Sequence, residues 1–218
     1  MFKTGGLLVS LEGIDGCGKS TQFELLQARL AEKGIPFIAV REPGGTAVGE
    51  GIRKVLLQTS YSLTTEAEML LYLAARAELC KQIILPSLRE GKMVLCDRFI
   101  DSTQAYQGYG GGLDLRWIKQ LNWQVTGGRL PDLTFILNLS VEKAAERRGS
   151  SLDRLEMRDL SYHRRVQQGY LKVARQEPER VEVLDAAMAK DNLFTVLWSK
   201  LQPVIEMYYK MRSDHDFQ

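Results

Sequence analysis

The stretch Leu7-Leu8-Val9-Ser10-Leu11-Glu12-Gly13-Ile14-Asp15-Gly16-Cys17-Gly18-Lys19-Ser20 decides how this chain folds. It opens as a short apolar run and passes into a turn that matches G-x-x-x-x-G-K-[ST]. The segment beyond, Ser20–Lys33, carries Phe23, Leu26 and Leu30 at helical spacing and stops at Gly34. Strand, glycine-rich turn and helix in this order form an anion cradle. Gly13, Gly16 and Gly18 permit the backbone torsions that let amide N–H groups converge, and the helix N-terminus adds a dipole that favours phosphate. The residues Gly13, Ile14, Asp15, Gly16, Cys17, Gly18, Lys19, Ser20 and Thr21 are therefore expected to hold a nucleotide's phosphates. Lys19 would neutralise charge near the transferred phosphoryl, and the Ser20 hydroxyl would serve Mg²⁺.

Outward from this motif the pattern repeats. Apolar runs at Phe37–Arg41, Met93–Asp97, Thr134–Leu139 and Val181–Leu184 join Leu7–Glu12 as five expected strands. Their near-continuous apolar character, without strict alternation, predicts strands covered on both faces. Helical patterns lie between them at Thr65–Glu90, where Pro86 should kink the helix or open a new one, and at Leu115–Thr126, Val141–Arg148, Arg158–Gln176 and Asn192–Met211. Alternating strands and helices imply right-handed crossovers and a doubly wound α/β sheet, read as one domain over residues 1–218.

Composition sets outer bounds. With 44% hydrophobic and 26% charged residues, the 218-residue chain can bury a full core. A net charge of +2 gives no footing for a nucleic-acid surface. Cys17, Cys80 and Cys96 share no metal-type spacing, and Cys80 and Cys96 sit in apolar contexts, which fits buried thiols in a reducing cytoplasm. No apolar run approaches the ~20 residues needed to span a bilayer, and Leu7–Leu11 is too short for a signal sequence. His163 is expected on a helix surface and His215 in a polar tail.

The cradle gives nucleotide binding but no reaction, and other segments must choose one. Asp97-Arg98 follows the third strand at the carboxyl edge where ligands gather. The acid can hold Mg²⁺ through water and the arginine can grip a phosphate, although alone the pair reads equally well as structural. Ser102, Thr103, Tyr106 and Gln107 add hydroxyl and amide groups, and Gly110-Gly111-Gly112 reads as a flexible loop. Tyr72 and Arg76 share a helical face, an arrangement that suits base stacking and recognition but more often means packing. Arg41-Glu42-Pro43-Gly44-Gly45-Thr46 ends the second strand, with Arg53 on a short helix beyond it.

Taken in order, the glycine-rich loop, Arg41–Thr46, Leu73–Arg76, Asp97–Gly108, Pro131–Thr134 and Leu152–Glu156 resemble the bacterial thymidylate kinases. The likeness runs from about Leu7 to Asp185. It implies a five-stranded parallel sheet in three layers, a homodimer, ATP as donor, Mg²⁺ as cofactor and dTMP as acceptor. Carried over by position, Tyr72 stacks the thymine, Arg76 donates to its carbonyl, and Gln107 and Thr103 meet its polar edge. Arg98 and Arg53 hold the acceptor phosphate. Asp15 lies near the sugar hydroxyl, Tyr106 excludes a ribose 2′-hydroxyl, and Glu42 is a weaker candidate for water-mediated Mg²⁺ binding. Glu146-Arg147-Arg148-Gly149-Ser150-Ser151 resembles the start of a mobile lid at about 146–157, with Arg147 and Arg148 as catalytic charges in place of a loop arginine. Position 16 is glycine, and an arginine placed there should supply the missing charge. Two rival readings are a nucleoside kinase, which Arg53 and Arg98 disfavour because a 5′-hydroxyl needs no such charge, and a non-catalytic nucleotide-dependent regulator.

Overall fold

The computed structural model describes residues 5–149 and 152–215, with side chains to residue 211 in the last helix. Five parallel strands form one sheet: β1 (Leu8–Glu12), β2 (Phe37–Arg41), β3 (Met93–Asp97), β4 (Leu133–Asn138) and β5 (Val181–Asp185), in the order β2-β3-β1-β4-β5. The central strand β1 is buried along its whole length, as its unbroken apolar run requires. Leu7, Val9 and Leu11 enter one core with Leu26 and Leu30 of α1 (Lys19–Glu32), while Leu8 enters a second core on the opposite face with Cys96 and Phe99.

Helices cover both faces: α2 (Ala47–Leu57), α3 (Thr65–Leu79), α4 (Leu85–Arg89), α5 (Ile100–Thr103), α6 (Leu115–Val125), α7 (Val141–Arg147), α8 (Leu160–Gln176) and α9 (Lys190–His215). Thr46, Thr64, Asp114, Ser140 and Asp159 cap the starts of α2, α3, α6, α7 and α8 by accepting backbone N–H bonds. A wide π turn, Cys80–Ile84, joins α3 to α4, and Pro86 then falls in the first turn of α4, where its missing N–H costs nothing. The expected new segment at Pro86 is thus present.

Two expectations need correction. Gln104–Gly110 is helical, a π segment continuing α5, so of the expected Gly110–Gly112 loop only Gly111 and Gly112 lie outside the helix. A Cβ at Gly110 would lie 2.7 Å from Val166 Cγ2, so glycine serves the close approach of α8. His163 is 2% exposed, against the helix-surface expectation: it packs edge-on to Tyr162 and its Nε2 lies 3.4 Å from Glu156 O. Burial and the charge of Arg148 push its pKa down.

Strand order positions the site. β1 lies between β3 and β4, so chain direction in the layer reverses at its carboxyl end and opens a crevice there. Leu11 pairs with Asp97, and Arg98 N–H donates to Leu11 O at 3.0 Å. The glycine-rich loop and the Asp97-Arg98 pair therefore leave the sheet side by side.

Candidate active site

On the donor side, α1 differs from its neighbours. Its cap position, Gly18, has no side chain to satisfy the first amides, and no acidic residue lies in its first turn. These N–H groups stay available to an anion. Gly16, at φ +86°, has no room for a side chain: a Cβ would sit 2.2 Å from Ala144 O. This corrects the expectation that an arginine at position 16 could supply charge, since it would strain the backbone and drive α7 away. Lys19, 7% exposed, folds back over its loop, donating from Nζ to Gly13 O at 3.1 Å and Ile14 O at 3.2 Å. Cys17 is buried beside it.

The cleft over this loop has a volume of about 700 Å³. Lys19, Ser20 and Thr21 line one side, Arg147 and Glu156 another, and Ala186 to Lys190 the third. The last segment has no place in the sequence reading, although it follows β5 at the same carboxyl edge, which was the available signal. Gln22 Nε2 ties it to α1 by donating to Lys190 O at 2.9 Å. Arg147 donates to Ala186 O at 3.2 Å, whereas Arg148 turns toward the 152–157 segment and donates to Glu156 O at 3.1 Å. Of the expected lid, Ser150 and Ser151 lie outside the described residues. Asp153 organises the turn after them, accepting from the N–H groups of Leu155 and Glu156.

The acceptor side is a second cavity. Its lining includes the charged Asp15, Glu42, Arg53 and Arg98, the polar or aromatic Tyr72, Thr103, Tyr106 and Gln107, and Leu57, Asp153 and Leu155. Leu57 and Asp153 carry no sequence signal for this role. Arg98 is the centre of the charged lining. It adopts φ 70°, a region that costs a non-glycine residue about 1–3 kcal/mol unless its surroundings hold it. They do: Phe99 N–H donates to Glu12 Oε1 at 2.7 Å, Arg98 donates to Gly13 O at 2.9 Å, and its guanidinium pairs with Asp15. Tyr106 lies under the guanidinium at 5.1 Å and donates its hydroxyl to Asp15 Oδ2 at 2.9 Å. Burial pushes the Asp15 pKa up, but Arg98 and Lys19 prevail and hold it well below the usual carboxylate range. Burial and the nearby Asp101 charge push Glu12 up to about 7, against its bonds to Ser102 and Phe99 and the Arg98 charge.

Arg76 does not meet its expectation. It is 1% exposed and lies outside the cavity lining. Nε donates to Glu42 Oε2 at 2.8 Å, Nη1 donates to Thr103 Oγ1 at 2.8 Å and Asn122 Oδ1 at 2.5 Å, and Nη2 donates to Phe99 O at 3.0 Å and to Glu42. All five N–H groups are committed, so none remains for a base carbonyl. Glu42, expected at the acceptor site and as a weaker candidate for water-mediated Mg²⁺ binding, lines the acceptor cavity and is the buried counter-charge of Arg76.

A family model described as Thymidylate kinase matches residues 11–195. The chain belongs to the thymidylate kinase family. Among thymidylate kinases, that of Halothermothrix orenii is 48% identical over 202 residues, covering 90% of this chain and 97% of the relative. That of Pelotomaculum thermopropionicum is 44% identical over 212 residues, covering 95% and 98%. The crystal structure of thymidylate kinase from Ehrlichia chaffeensis superposes with a TM-score of 0.78 at 35% identity, covering 90% of this chain and 99% of that one. The five-stranded parallel sheet expected of a thymidylate kinase is present.

Proposed function

We infer that the protein phosphorylates dTMP to dTDP with ATP, by in-line transfer of the γ-phosphoryl to an acceptor phosphate oxygen. One observation carries the reading: Asp15 lines both the donor cleft and the acceptor cavity, so the glycine-rich loop is the shared wall between two nucleotide sites. Arg53 and Arg98 give the acceptor cavity the charge that a phosphate requires and a 5′-hydroxyl does not. The acceptor oxygen is already anionic, so catalysis rests on positioning and on cancelling charge around the transferred group, with no strong general base.

Lys19 and the uncapped start of α1 receive the donor phosphates. Arg98 and Arg53 receive the acceptor phosphate, Tyr72 stacks the base, and Tyr106 with Asp15 lies against the sugar. Arg147 and Arg148, at the start of a lid over 146–157, supply further positive charge. Mg²⁺ fits the residues present. Asp97 has a buried carboxylate oxygen, Oδ1, without a hydrogen-bond partner, and Ser20 lies exposed at the head of α1. Among the described residues no three His, Cys, Asp or Glu side chains form a metal cluster, as suits an ion held mainly by phosphate oxygens and water. Ser20, and Asp97 through water, would hold the ion, which would offset phosphate charge.

Homodimerisation fits the exposed Leu70 on α3 and the exposed Trp117 and Trp123 on α6, two helices that pack together. Among the described residues no helix is long and apolar enough to cross a membrane, and we assign the protein to the cytoplasm. The test is a coupled ADP-release assay over a panel of nucleoside monophosphates with thymidine as a control. Preference for thymidine over dTMP would favour the nucleoside-kinase reading, and absence of turnover with every acceptor would favour a regulator.

A further inference from the structure

One buried carboxylate stands behind Arg98 and holds it in two ways. Glu12, 0% exposed at the end of β1, accepts the Phe99 N–H at Oε1 over 2.7 Å, which fixes the backbone just beyond the left-handed residue. Its other oxygen, Oε2, accepts from the hydroxyls of Ser102 at 2.6 Å and Tyr170 at 3.0 Å. Those two hydroxyl oxygens in turn accept from Arg98 Nη1, at 3.3 and 3.2 Å. Ser102 lines the acceptor cavity beside Arg98, whereas Glu12 and Tyr170, 1% exposed on α8, do not.

The order of donors and acceptors in this chain is forced. An ionised carboxylate only accepts and a guanidinium only donates. The two hydroxyls, 2.9 Å apart, must therefore send their hydrogens toward Glu12, directly or through each other, and turn lone pairs to Arg98. Nη1 has one further acceptor, Gly13 O at 2.9 Å. An amide at position 12 would be cheaper to bury, since desolvation and the Asp101 charge already push Glu12 up to about 7. We propose that Glu12 and Tyr170 are positioning residues for the acceptor phosphate, holding the Arg98 guanidinium in the orientation that receives it. This rests on the acceptor reading given above and extends it to α8, a helix outside the cavity lining.

Two substitutions break this chain without emptying the core. Tyr170→Phe deletes one acceptor of Nη1. Glu12→Gln keeps the volume and reverses the sense. Its oxygen stays with the Phe99 N–H, so its amide nitrogen must donate where Oε2 accepted. The hydroxyls of Ser102 and Tyr170 then turn hydrogens toward Arg98, donor against donor.

The measurement is calorimetric binding of dTMP, thymidine and ATP to the wild type, Tyr170→Phe and Glu12→Gln at pH 8, above the Glu12 value. Thymidine lacks the phosphate that Arg98 receives, so it reports the rest of the cavity. In each variant dTMP should bind about tenfold more weakly, while thymidine and ATP stay within about twofold of the wild type. Parallel losses for dTMP and thymidine would mark a merely structural pair and overturn the proposal. In an Arg98→Ala background, Tyr170→Phe should cost dTMP nothing further, and a renewed loss there overturns the proposal because the hydroxyl then acts without Arg98. Should Tyr170→Phe not fold, Glu12→Gln carries the same comparison. A wild type that binds dTMP no more tightly than thymidine overturns the acceptor reading together with this one; an intact preference for dTMP in the variants overturns this one alone.

Discussion

Replacing Arg76 with alanine separates a structural arginine from a base-reading one. The substitution strands the Glu42 carboxylate, 5% exposed, and removes the donors to Thr103, Asn122 and Phe99 O. Breaking a buried ion pair by removing one partner costs about 3–5 kcal/mol, because the other charge stays buried without compensation. Against a typical stability of about 5–15 kcal/mol this is a large fraction. Burial already pushes the Glu42 pKa up even with Arg76 in place, so in Arg76→Ala the carboxyl should take up a proton near neutrality. The assay is urea unfolding followed by circular dichroism at pH 7 for Arg76→Ala, Glu42→Leu and the double variant Arg76→Met with Glu42→Leu. The single variants should each lose several kcal/mol, and the double variant should lose markedly less than their sum, since it leaves no unpaired charge. A loss below about 1 kcal/mol in Arg76→Ala, with a rise in KM confined to dTMP, would refute the structural role and return Arg76 to the base edge.

Three further outcomes follow from the geometry. Lys19→Ala should fold normally and lose several orders of magnitude in phosphoryl transfer, measured by ADP release; near-normal turnover would remove the lysine from the donor site. The variant pair Arg147→Ala with Arg148→Ala should lower kcat with little change in either dissociation constant, and Gly16→Arg added to it should fail to restore activity because of the contact at Ala144 O. Glu12, raised from 4.5 to about 7 by burial, binds its proton more tightly folded than unfolded. Its contribution to stability is full below pH 4.5 and falls as pH rises through 7, by roughly 3 kcal/mol at about 1.4 kcal/mol per pKa unit. Unfolding at pH 5 and pH 8 should show that slope in the wild type and a flatter one in Glu12→Gln.

The sheet was legible because each strand is covered on both faces, and an apolar run such as Leu7–Leu11 admits few other readings. The loop at Gly13–Ser20 was legible because its chemistry requires particular residues in a fixed order. Ends of strands were also good guides: Asp97 and Arg98 sit where the carboxyl-edge rule puts them. What failed has a common cause. His163 looks polar and hence surface-bound in a sequence, Arg76 looks free to meet a ligand, and only tertiary partners such as Tyr162 and Glu42 reveal both as buried. Gly110 reads as slack in one dimension and as close packing in three. The Ala186–Lys190 wall has no chemistry in its side chains to announce it, since what it offers is its place beside Arg147 and Gln22.

The glycine contact at α8 reaches further than its own packing. Gly169 faces Tyr109 as Gly110 faces Val166: a Cβ at 169 would lie 2.7 Å from the tyrosine. Each glycine thus receives a side chain of the facing helical segment, Val166 at Gly110 and Tyr109 at Gly169. The segment carrying Tyr106 and Gln107 and the helix whose first turn adjoins Arg158 must move as one body. A chain drifting over generations can exchange large residues at most helix contacts by compensating on the other side. Here the glycine of each pair has nothing to give, and room for a larger residue could come only from shortening Val166, Tyr162 or Tyr109 opposite. The approach of α8 to the segment that carries Tyr106 and Gln107 is therefore set in part by two positions outside the lining of the acceptor cavity.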